Sequence, residues 1–187
     1  LLTTMQNNTE KLIALSNQLL DFRQVETEGF KLHFESENIS QTVQEIINNF
    51  TVTLQAQDKQ MVSHIMPDII GQVDIDAFDK ICYNLLNNAL KYSSSYIEVN
   101  LNMDKQKNIF ILTVKNDGAL IPSEERERIF EPFNRLKQNK NVPGSGLGLA
   151  LTRSLTLKHQ GTLLYSTNDL QLNVFSLTLP LNHNTNP

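Results

Sequence analysis

The segment from Asp74 or Asp76 to about residue 92 carries the strongest helical pattern in the sequence. Its apolar side chains recur every three or four residues and can face a core; they are Phe78, Ile81, Cys82, Leu85, Leu86 and Ala89. Asn84, Asn88 and Lys91 stand at i, i+4 and i+7, so they share one stripe of the helix. Asparagine costs helix propensity, yet its amide oxygen can ligate Mg²⁺, and a lysine can meet a phosphate. Taken alone, the stripe is more simply explained as a solvated polar face.

A second helix is predicted over Leu1–Phe22, at the start of the chain. Its apolar residues fall on the a and d positions of a heptad repeat, with Asn8 as the polar exception; they are Leu1, Met5, Leu12, Leu15, Leu19 and Phe22. Such a narrow seam suits a partner helix, but the helix could equally pack on its own domain. Periodicity leaves both arrangements open.

The remaining pattern predicts helices packed on one face of a mixed, mainly antiparallel sheet, a two-layer α/β (α+β) sandwich. Phe30, Leu32 and Phe34 alternate like a strand, and Ser40 is placed to cap a helix. Gly161 stands where a left-handed helix cap belongs. Further elements are predicted as strands at 61–66, 69–73, 96–101 and 109–115, a short helical piece at 123–129, a helix at 147–159 and a closing hairpin of 162–167 with 172–179.

Length and composition indicate one compact domain with an appendage, because the chain has 187 residues. Sixteen basic against 20 acidic residues give a net charge of −4, which argues against a nucleic-acid binder held by broad positive charge. The single cysteine, Cys82, cannot form an internal disulfide and fits a reducing compartment. No run approaches the roughly 20 apolar residues of a membrane helix. A chain that opens on Leu1 without Met is expected to be a piece of a longer protein.

Three further segments could carry chemistry. Residues 144–149, Gly-Ser-Gly-Leu-Gly-Leu, precede a helix, where closely spaced amides and the helix dipole favour an anion. They fit neither a Walker loop nor a dinucleotide-binding fingerprint, and a flexible loop is the plain alternative. Residues 114–122 end a strand in a polar turn where a side-chain acceptor could hold a base amine. Phe130 and Phe133 flank a proline in a polar stretch and suit a loop anchored on the core.

In their order along the chain, which is the Asn stripe, the strand-end turn, the aromatic anchor and the glycine loop, the four segments resemble the ATP-binding catalytic domain of bacterial sensor histidine kinases. That domain belongs to an ATPase group shared with type II topoisomerases, MutL-type repair proteins and heat-shock chaperones. Residues 84–92 resemble the N box, residues 130–133 the F box and residues 144–149 the second glycine box. The resemblance covers roughly residues 37–181.

The resemblance implies a role for each position. Asn84 would ligate Mg²⁺, Asn88 and Lys91 would contact the phosphates of ATP, and Tyr92 would lie along the nucleotide. The base would meet the turn that contains Asn116, Asp117, Gly118 and Ile121. The residues Gly144, Ser145, Gly146, Leu147 and Gly148 would close over the phosphates. Residues 123–143 would form a mobile lid hinged by Phe130 and Phe133. Its Arg135 could approach the phosphates, although Arg126 and Arg128 lie in the same stretch.

The turn departs from the family pattern, which usually reads Asp-x-Gly-x-Gly. Anchored on Gly118, this chain has Asn116 in place of the Asp and Leu120 in place of the second Gly, while Asp117 stands one place late. An Asn oxygen can still accept from the adenine amine, but its NH₂ could equally donate to a guanine oxygen. We expect ATP binding to survive this change.

The phosphate-accepting histidine of the family is absent. None of His33, His64, His159 and His183 has its context, a helix with an acidic residue next and a proline slightly later. Leu1–Phe22 instead resembles the second helix of the dimerisation hairpin, which favours the coiled seam and places the acceptor upstream. The expected domains are residues 1–25 as this partial hairpin, 26–182 as the catalytic domain and 183–187 as a disordered tail.

The function implied is transfer of the γ-phosphoryl of ATP to that histidine, for relay to a response-regulator aspartate. The implied partners are a receiver domain, the protein's own phosphoacceptor helix and, at full length, a second copy. The resemblance also implies a cytoplasmic portion of a parent anchored in the bacterial inner membrane, with no nucleic-acid or membrane contact by this chain. A degenerate regulatory domain, and an ATP-driven clamp of the topoisomerase or chaperone kind, remain as alternatives.

Overall fold

The computed structural model describes residues 2–136 and 144–183. Its helices and strands follow the chain as α1 (Leu2–Glu26), β1 (Glu35–Asn38), α2 (Ile39–Ala56), β2 (Gln60–Ile65), β3 (Ile70–Val73), α3 (Ile75–Tyr92), β4 (Tyr96–Asp104), β5 (Ile109–Asn116), α4 (Gly148–Lys158), β6 (Thr162–Thr167) and β7 (Asn173–Pro180). Two single 3₁₀ turns, Ser123–Glu125 and Arg128–Phe130, replace the short helix that the sequence predicts at 123–129.

Five strands form the main sheet in the order β2-β4-β5-β7-β6. β2 runs parallel to β4, and the other neighbours are antiparallel. β1 and β3 form a separate antiparallel pair. Helices pack on one face of the sheet, so the predicted two-layer α/β architecture is confirmed.

Alternation along the strands places the core between the sheet and the helices. Val99 lies opposite Val114, and Val114 lies opposite Phe175, in three adjacent strands. From the helix layer, Phe78 meets Phe110 of β5 edge-on with ring centroids 5.8 Å apart, and both rings are fully buried. Each such ring contributes about 1.5–3 kcal/mol relative to an exposed one. This packing fixes which side of α3 is left for a ligand.

The start of α3 resolves a choice that the sequence leaves open. Asp74 is the N-cap, because its Oδ1 accepts a hydrogen bond from the backbone N–H of Ala77 at 3.0 Å. Asp76 lies inside the first turn, where its charge favours the positive end of the helix.

Two predictions near the N-terminal region are wrong. Phe30, Leu32 and Phe34 do not form a strand; the ladder begins at Glu35, where the chain meets β3. Ser40 does not cap α2, because Asn38 does so through its Oδ1. The Ser40 hydroxyl instead ties two loop ends, donating to Met66 O and accepting from Ile69 N.

The C-terminal half also departs from two predictions. The left-handed residue after α4 is Gln160, and Gly161 follows it, donating to the Thr156 carbonyl as in a Schellman cap. His183, assigned to the tail, is only 7% exposed and stacks on Phe34 with ring centroids 3.8 Å apart. Residues 184–187 of the expected tail lie outside the described residues.

Helix α1 is longer than predicted and packs on the domain with one side only. Asp21 pairs with Lys80 of α3 at 2.9 Å, and Glu26 accepts from Ser154 of α4 at 2.7 Å. The apolar seam is uncovered between residues 5 and 19, since the following side chains are at least 40% exposed: Met5, Leu12, Leu15 and Leu19. Packing of the helix on its own domain is therefore observed for one face, while a partner helix on the exposed seam stays a prediction. Among residues 2–136 and 144–183, no helix combines the length and the apolar character that crossing a membrane requires.

Candidate functional site

A cavity of about 310 Å³ lies where α3, the glycine loop ahead of α4 and the ends of β5 and β7 meet. It brings together most of the residues that the sequence singles out: Asn84, Asn88, Lys91, Tyr92, Asn116, Ile121, Arg135, Gly144, Ser145, Gly146 and Gly148. Four others, Asp117, Gly118, Phe133 and Leu147, do not line it.

The polar stripe of α3 faces this cavity because the opposite stripe is buried against the sheet. The Nδ2 of Asn84 donates to the Gly148 carbonyl at 3.4 Å, which leaves its Oδ1 for a ligand. The Lys91 ammonium lies 4.6 Å from the centroid of the Tyr92 ring. α3 thus presents an amide oxygen and a cation about two turns apart on one wall of the cavity.

The glycine loop closes the opposite wall through its backbone. Gly146 has φ +74°, and a Cβ there would lie 2.9 Å from the Asn134 carbonyl oxygen. Its own carbonyl accepts from Phe133 N at 3.0 Å. A side chain at Gly144 would run into the Lys91 ammonium. Glycine is therefore required at position 146, where φ is left-handed and the backbone of residues 133–134 comes close, whereas at Gly144 only the flexible end of Lys91 would have to move.

Two polar groups of this loop are engaged within the chain. The Ser145 hydroxyl donates to Gln18 of α1 at 2.7 Å and accepts from Leu147 N at 3.1 Å. The Leu147 side chain is 2% exposed and anchors the loop in the core rather than facing the cavity. α1 thus reaches the rim of the site.

Asp117 does not act at the cavity. Its carboxylate accepts hydrogen bonds from the backbone N–H groups of Ser94, Ser95 and Tyr96, and so holds the α3–β4 turn. Burial alone would raise the pKa of Asp117, but these hydrogen bonds to the charged form lower it. The next residue, Gly118, has to be a glycine, because a Cβ there would collide with the Tyr92 carbonyl.

Asn116 and Asn173 form one corner of the cavity and are both 3% exposed. They lie opposite each other in the β5–β7 ladder. Asn116 Oδ1 accepts from Gly118 N at 3.0 Å and from Asn173 Nδ2 at 3.2 Å. Sequence reasoning missed Asn173, although a polar residue heading an apolar strand was an available signal.

The aromatic anchor is Phe130 alone. Its ring is 6% exposed, with the Arg153 guanidinium 5.3 Å from its centroid. Phe133 is 63% exposed and holds the loop through its backbone, at φ +62°. Arg135 lines the cavity, and the predicted lid residues 137–143 lie outside the described residues.

Further lining residues were not predicted as site residues; beyond Asn173 they are Gln18, Asn87, Ala119, Ile129, Asn134, Leu136, Leu149 and Phe175. Most are neighbours of predicted positions. Gln18 carries no sequence signal, because its contact with Ser145 spans 127 residues. In the described part of the chain, no three His, Cys, Asp or Glu residues are grouped to hold a metal ion.

Residues 73–183 match the profile of the family described as histidine kinase-, DNA gyrase B- and HSP90-like ATPases. The chain is 30% identical over 182 residues to the sensor histidine kinase TmoS of Ectopseudomonas mendocina, covering 95% of this chain and 19% of TmoS. The first curated relatives are all more than twice as long as the chain.

Solved structures share the fold. The histidine kinase AdeS of Acinetobacter baumannii superposes with a TM-score of 0.81 at 21% identity, over 97% of this chain and 84% of AdeS. Full-length ShkA, solved in complex with AMPPNP, superposes with a TM-score of 0.82 at 19% identity, over 95% of this chain and 37% of ShkA.

Proposed function

Because the chain belongs to the family of histidine kinase-, DNA gyrase B- and HSP90-like ATPases, we propose that it is the ATP-binding kinase core of a sensor histidine kinase. It binds Mg·ATP in the cavity and donates the γ-phosphoryl to a histidine outside this chain. The observation that carries the proposal is the convergence of Asn84, Lys91 and the glycine loop on one cavity. ShkA, of the same fold, is solved with the nucleotide analogue AMPPNP.

Asn84 fits the role of a metal ligand. Its Nδ2 is held by the Gly148 carbonyl, so the Oδ1 is oriented for a hard cation, which prefers oxygen ligands. The chemistry that a bound Mg²⁺ supplies is neutralisation of the phosphate charge. A neutral amide ligand adds no negative charge beside the phosphates, and the remaining ligands would come from phosphate and water.

Lys91, Arg135 and the backbone amides of residues 144–148 hold the triphosphate. Phosphoryl transfer is catalysed mainly by positioning and by stabilising charge, so these groups orient the γ-phosphorus toward the incoming imidazole. Asn88 stands between Asn84 and Lys91 in sequence and contacts the same phosphates. Tyr92 and Ile121 lie along the nucleotide.

The acceptor histidine comes from outside the chain. His159 and His183 are buried in a cluster with Phe34. Neither His33 nor His64 lies on a helix. The uncovered seam of α1 suits the missing phosphoacceptor helix and, in the full-length protein, a second copy. A response-regulator receiver domain then takes the phosphoryl group, on the cytoplasmic side of a membrane-anchored parent.

Calorimetric titration of ATP tests the proposal, with and without Mg²⁺, on the chain and on Asn84→Ala. We expect saturable binding that weakens about tenfold or more in the variant with Mg²⁺ present, because a ligand to the metal is lost. With EDTA the two proteins should bind ATP alike.

Asn102→Ala is the matched control, since Asn102 is exposed on β4 away from the cavity. It should bind as the parent chain does. A folded chain that binds no nucleotide would contradict the proposal. It would favour a degenerate regulatory domain, the alternative suggested by the departures from the family pattern at Asn116 and Leu120. Steady ATP hydrolysis by the chain alone would favour the ATPase clamp.

A further inference from the structure

Hydrogen bonding around Asn116 determines which purine the cavity accepts. We propose that Asn116 presents an N–H donor to the base, so that a 6-oxopurine nucleotide such as GTP or ITP binds at least as tightly as ATP. This inference rests on the nucleotide-binding function proposed above and adds the base specificity of that site.

The orientation of the Asn116 amide is fixed by its neighbours. Its Oδ1 accepts from the Gly118 N–H at 3.0 Å and from Asn173 Nδ2 at 3.2 Å, which uses both lone pairs. Rotating the amide by half a turn would set its NH₂ against these two donors. The atom left toward the cavity is therefore Nδ2.

Asn173 cannot rotate to relieve this arrangement. Its Oδ1 accepts from the Tyr165 hydroxyl at 2.8 Å, and its Nδ2 also donates to the carbonyls of Gly118 at 3.0 Å and Ala119 at 3.3 Å. A rotated Asn173 would oppose oxygen to both carbonyls. The Tyr165 hydroxyl is fixed in turn by the Ile121 N–H, which donates to it at 3.2 Å.

The other acceptors of this corner are engaged as well. The Asp117 carboxylate accepts hydrogen bonds from the backbone N–H groups of residues 94–96 and does not line the cavity. The Gly118 and Ala119 carbonyls and the Asn173 oxygen take part in the network described above. Within the described residues, this corner offers a base one donor and no unengaged side-chain acceptor.

The chemical difference between purines at position 6 then decides the preference. Adenine carries an amine there. The amine and the Asn116 NH₂ are both donors, so they would face each other without a hydrogen bond. Guanine and hypoxanthine carry an oxygen, which accepts from that NH₂. A site that leaves a polar group unpaired discriminates far more strongly than one that loses a neutral contact.

The test compares dissociation constants of Mg·ATP, Mg·GTP and Mg·ITP for the chain and for Asn116→Asp by calorimetry. ITP lacks the 2-amino group, so it isolates the effect of position 6. The aspartate keeps an oxygen for Gly118 and Asn173 and turns a second oxygen, an acceptor, to the cavity. We expect the parent chain to bind ITP and GTP at least as tightly as ATP, and the variant to shift the ATP-to-ITP affinity ratio roughly tenfold toward ATP.

Asn102→Asp is the control for the added charge and should leave the ratio unchanged. A parent chain that binds ATP more than tenfold tighter than both 6-oxopurines overturns the inference even if the variant does not fold. An unchanged ratio in Asn116→Asp also overturns it. In both cases nucleotide binding stands and only the base specificity falls. Failure of the folded parent chain to bind any nucleotide removes the proposed function and this inference together.

Discussion

At the scale of single residues, polar side chains near the cavity divide into those whose hydrogen bonds hold the chain and those that face the cavity. Asp117 and Ser145 belong to the first group, because their hydrogen bonds run to the turn before β4 and to α1. Asn84 and Lys91 belong to the second. A substitution in the first group should disturb the shape of the site, and one in the second its chemistry.

Gly161 shows how a single close approach can decide stability. A Cβ at this position would lie inside contact distance of the Leu179 side chain and of the Thr178 carbonyl. We expect Gly161→Ala to lower the free energy of unfolding by about 2 kcal/mol, since backbone and a packed side chain must both shift. Urea denaturation measures this loss.

Gly29→Ala is the matched control, because no atom lies within 4 Å of a Cβ built there and its φ is not left-handed. It should change the free energy of unfolding by less than about 0.5 kcal/mol. Equal effects of the two substitutions would show that β7 can move away from Gly161.

The sequence indicated which segments form the candidate site, but not which group each of their side chains contacts. The α3 stripe and the glycine loop were indicated by the order of the four segments along the chain rather than by either spacing alone, and the structure places both at the cavity. Asp117 and Asn116 are neighbours in sequence, and only the three-dimensional turn decides that Asp117 caps Ser94–Tyr96 while Asn116 faces the cavity. Asn173 could not be assigned before the β5–β7 register was known.

At the scale of elements, a histidine cluster joins the α1–β1 connection to the start of α3 and the end of α4. His159 is fully buried; its Nδ1 donates to the Leu155 carbonyl at 2.9 Å, and its Nε2 accepts from Asp74 N at 3.3 Å. Phe34 meets the His159 ring edge-on, at 5.5 Å between centroids, and stacks on His183. Within the described residues, both ring nitrogens of His183 are buried without a hydrogen bond.

Stability should fall in mild acid because of this cluster. Burial lowers the pKa of His159 and of His183, although hydrogen bonding to Leu155 and the charge of Asp74 partly oppose this for His159. Histidines of the unfolded chain have a pKa of about 6.5, so below that pH the unfolded chain binds more protons than the folded one. Stability is full above that pH and is lost as the pH falls below it. Free energies of unfolding from urea titrations at about pH 7.5 and about pH 5.5 measure the effect.

His183→Phe keeps an aromatic ring on Phe34 and removes one titrating group, so it should lose less stability in acid than the parent chain. His64→Gln, at an exposed position of β2, should retain the parent's pH dependence. If all three proteins lose the same free energy between the two pH values, the cluster does not cause the acid sensitivity.

Element boundaries were predictable where local signals and pairing agree. α3 ends within a residue of its prediction, because apolar period and cap coincide. The strand expected at Phe30–Phe34 fails, because alternation there reflects half-buried side chains without a partner strand, and pairing with β3 starts only at Glu35. The glycine near the end of α4 was also misplaced by one residue: Gln160 takes the left-handed position, and Gly161 lies where β7 approaches closely.

At the scale of the whole molecule, α1 packs on the domain near its C-terminal end, where Val25 is buried in the core and Phe22 packs against it, and leaves an apolar row exposed nearer its start. Gln18, Asp21 and Glu26 make the contacts with the glycine loop, α3 and α4. The exposed pair Asp21–Lys80 contributes little to stability, so the burial of Val25 in the core holds α1 more than this ion pair does. A row of exposed large apolar side chains between residues 5 and 19 is typical of an interaction surface.

Self-association through this row is the expected consequence. A seam at heptad spacing suits a second helix of the same kind, and α1 of a second copy is the helix available to the isolated chain. We expect a concentration-dependent dimer in sedimentation velocity and its loss in Leu12→Glu, because Leu12 is 67% exposed at the centre of the seam. Nucleotide binding should persist in the variant, since Leu12 does not line the cavity.

Leu170→Glu is the matched control, because Leu170 is 77% exposed in the β6–β7 turn, away from α1. It adds the same charge and removes the same side chain, so a dimer held by the seam should survive it. A chain that stays monomeric at every concentration, or a dimer that both substitutions abolish equally, would contradict the role of the seam.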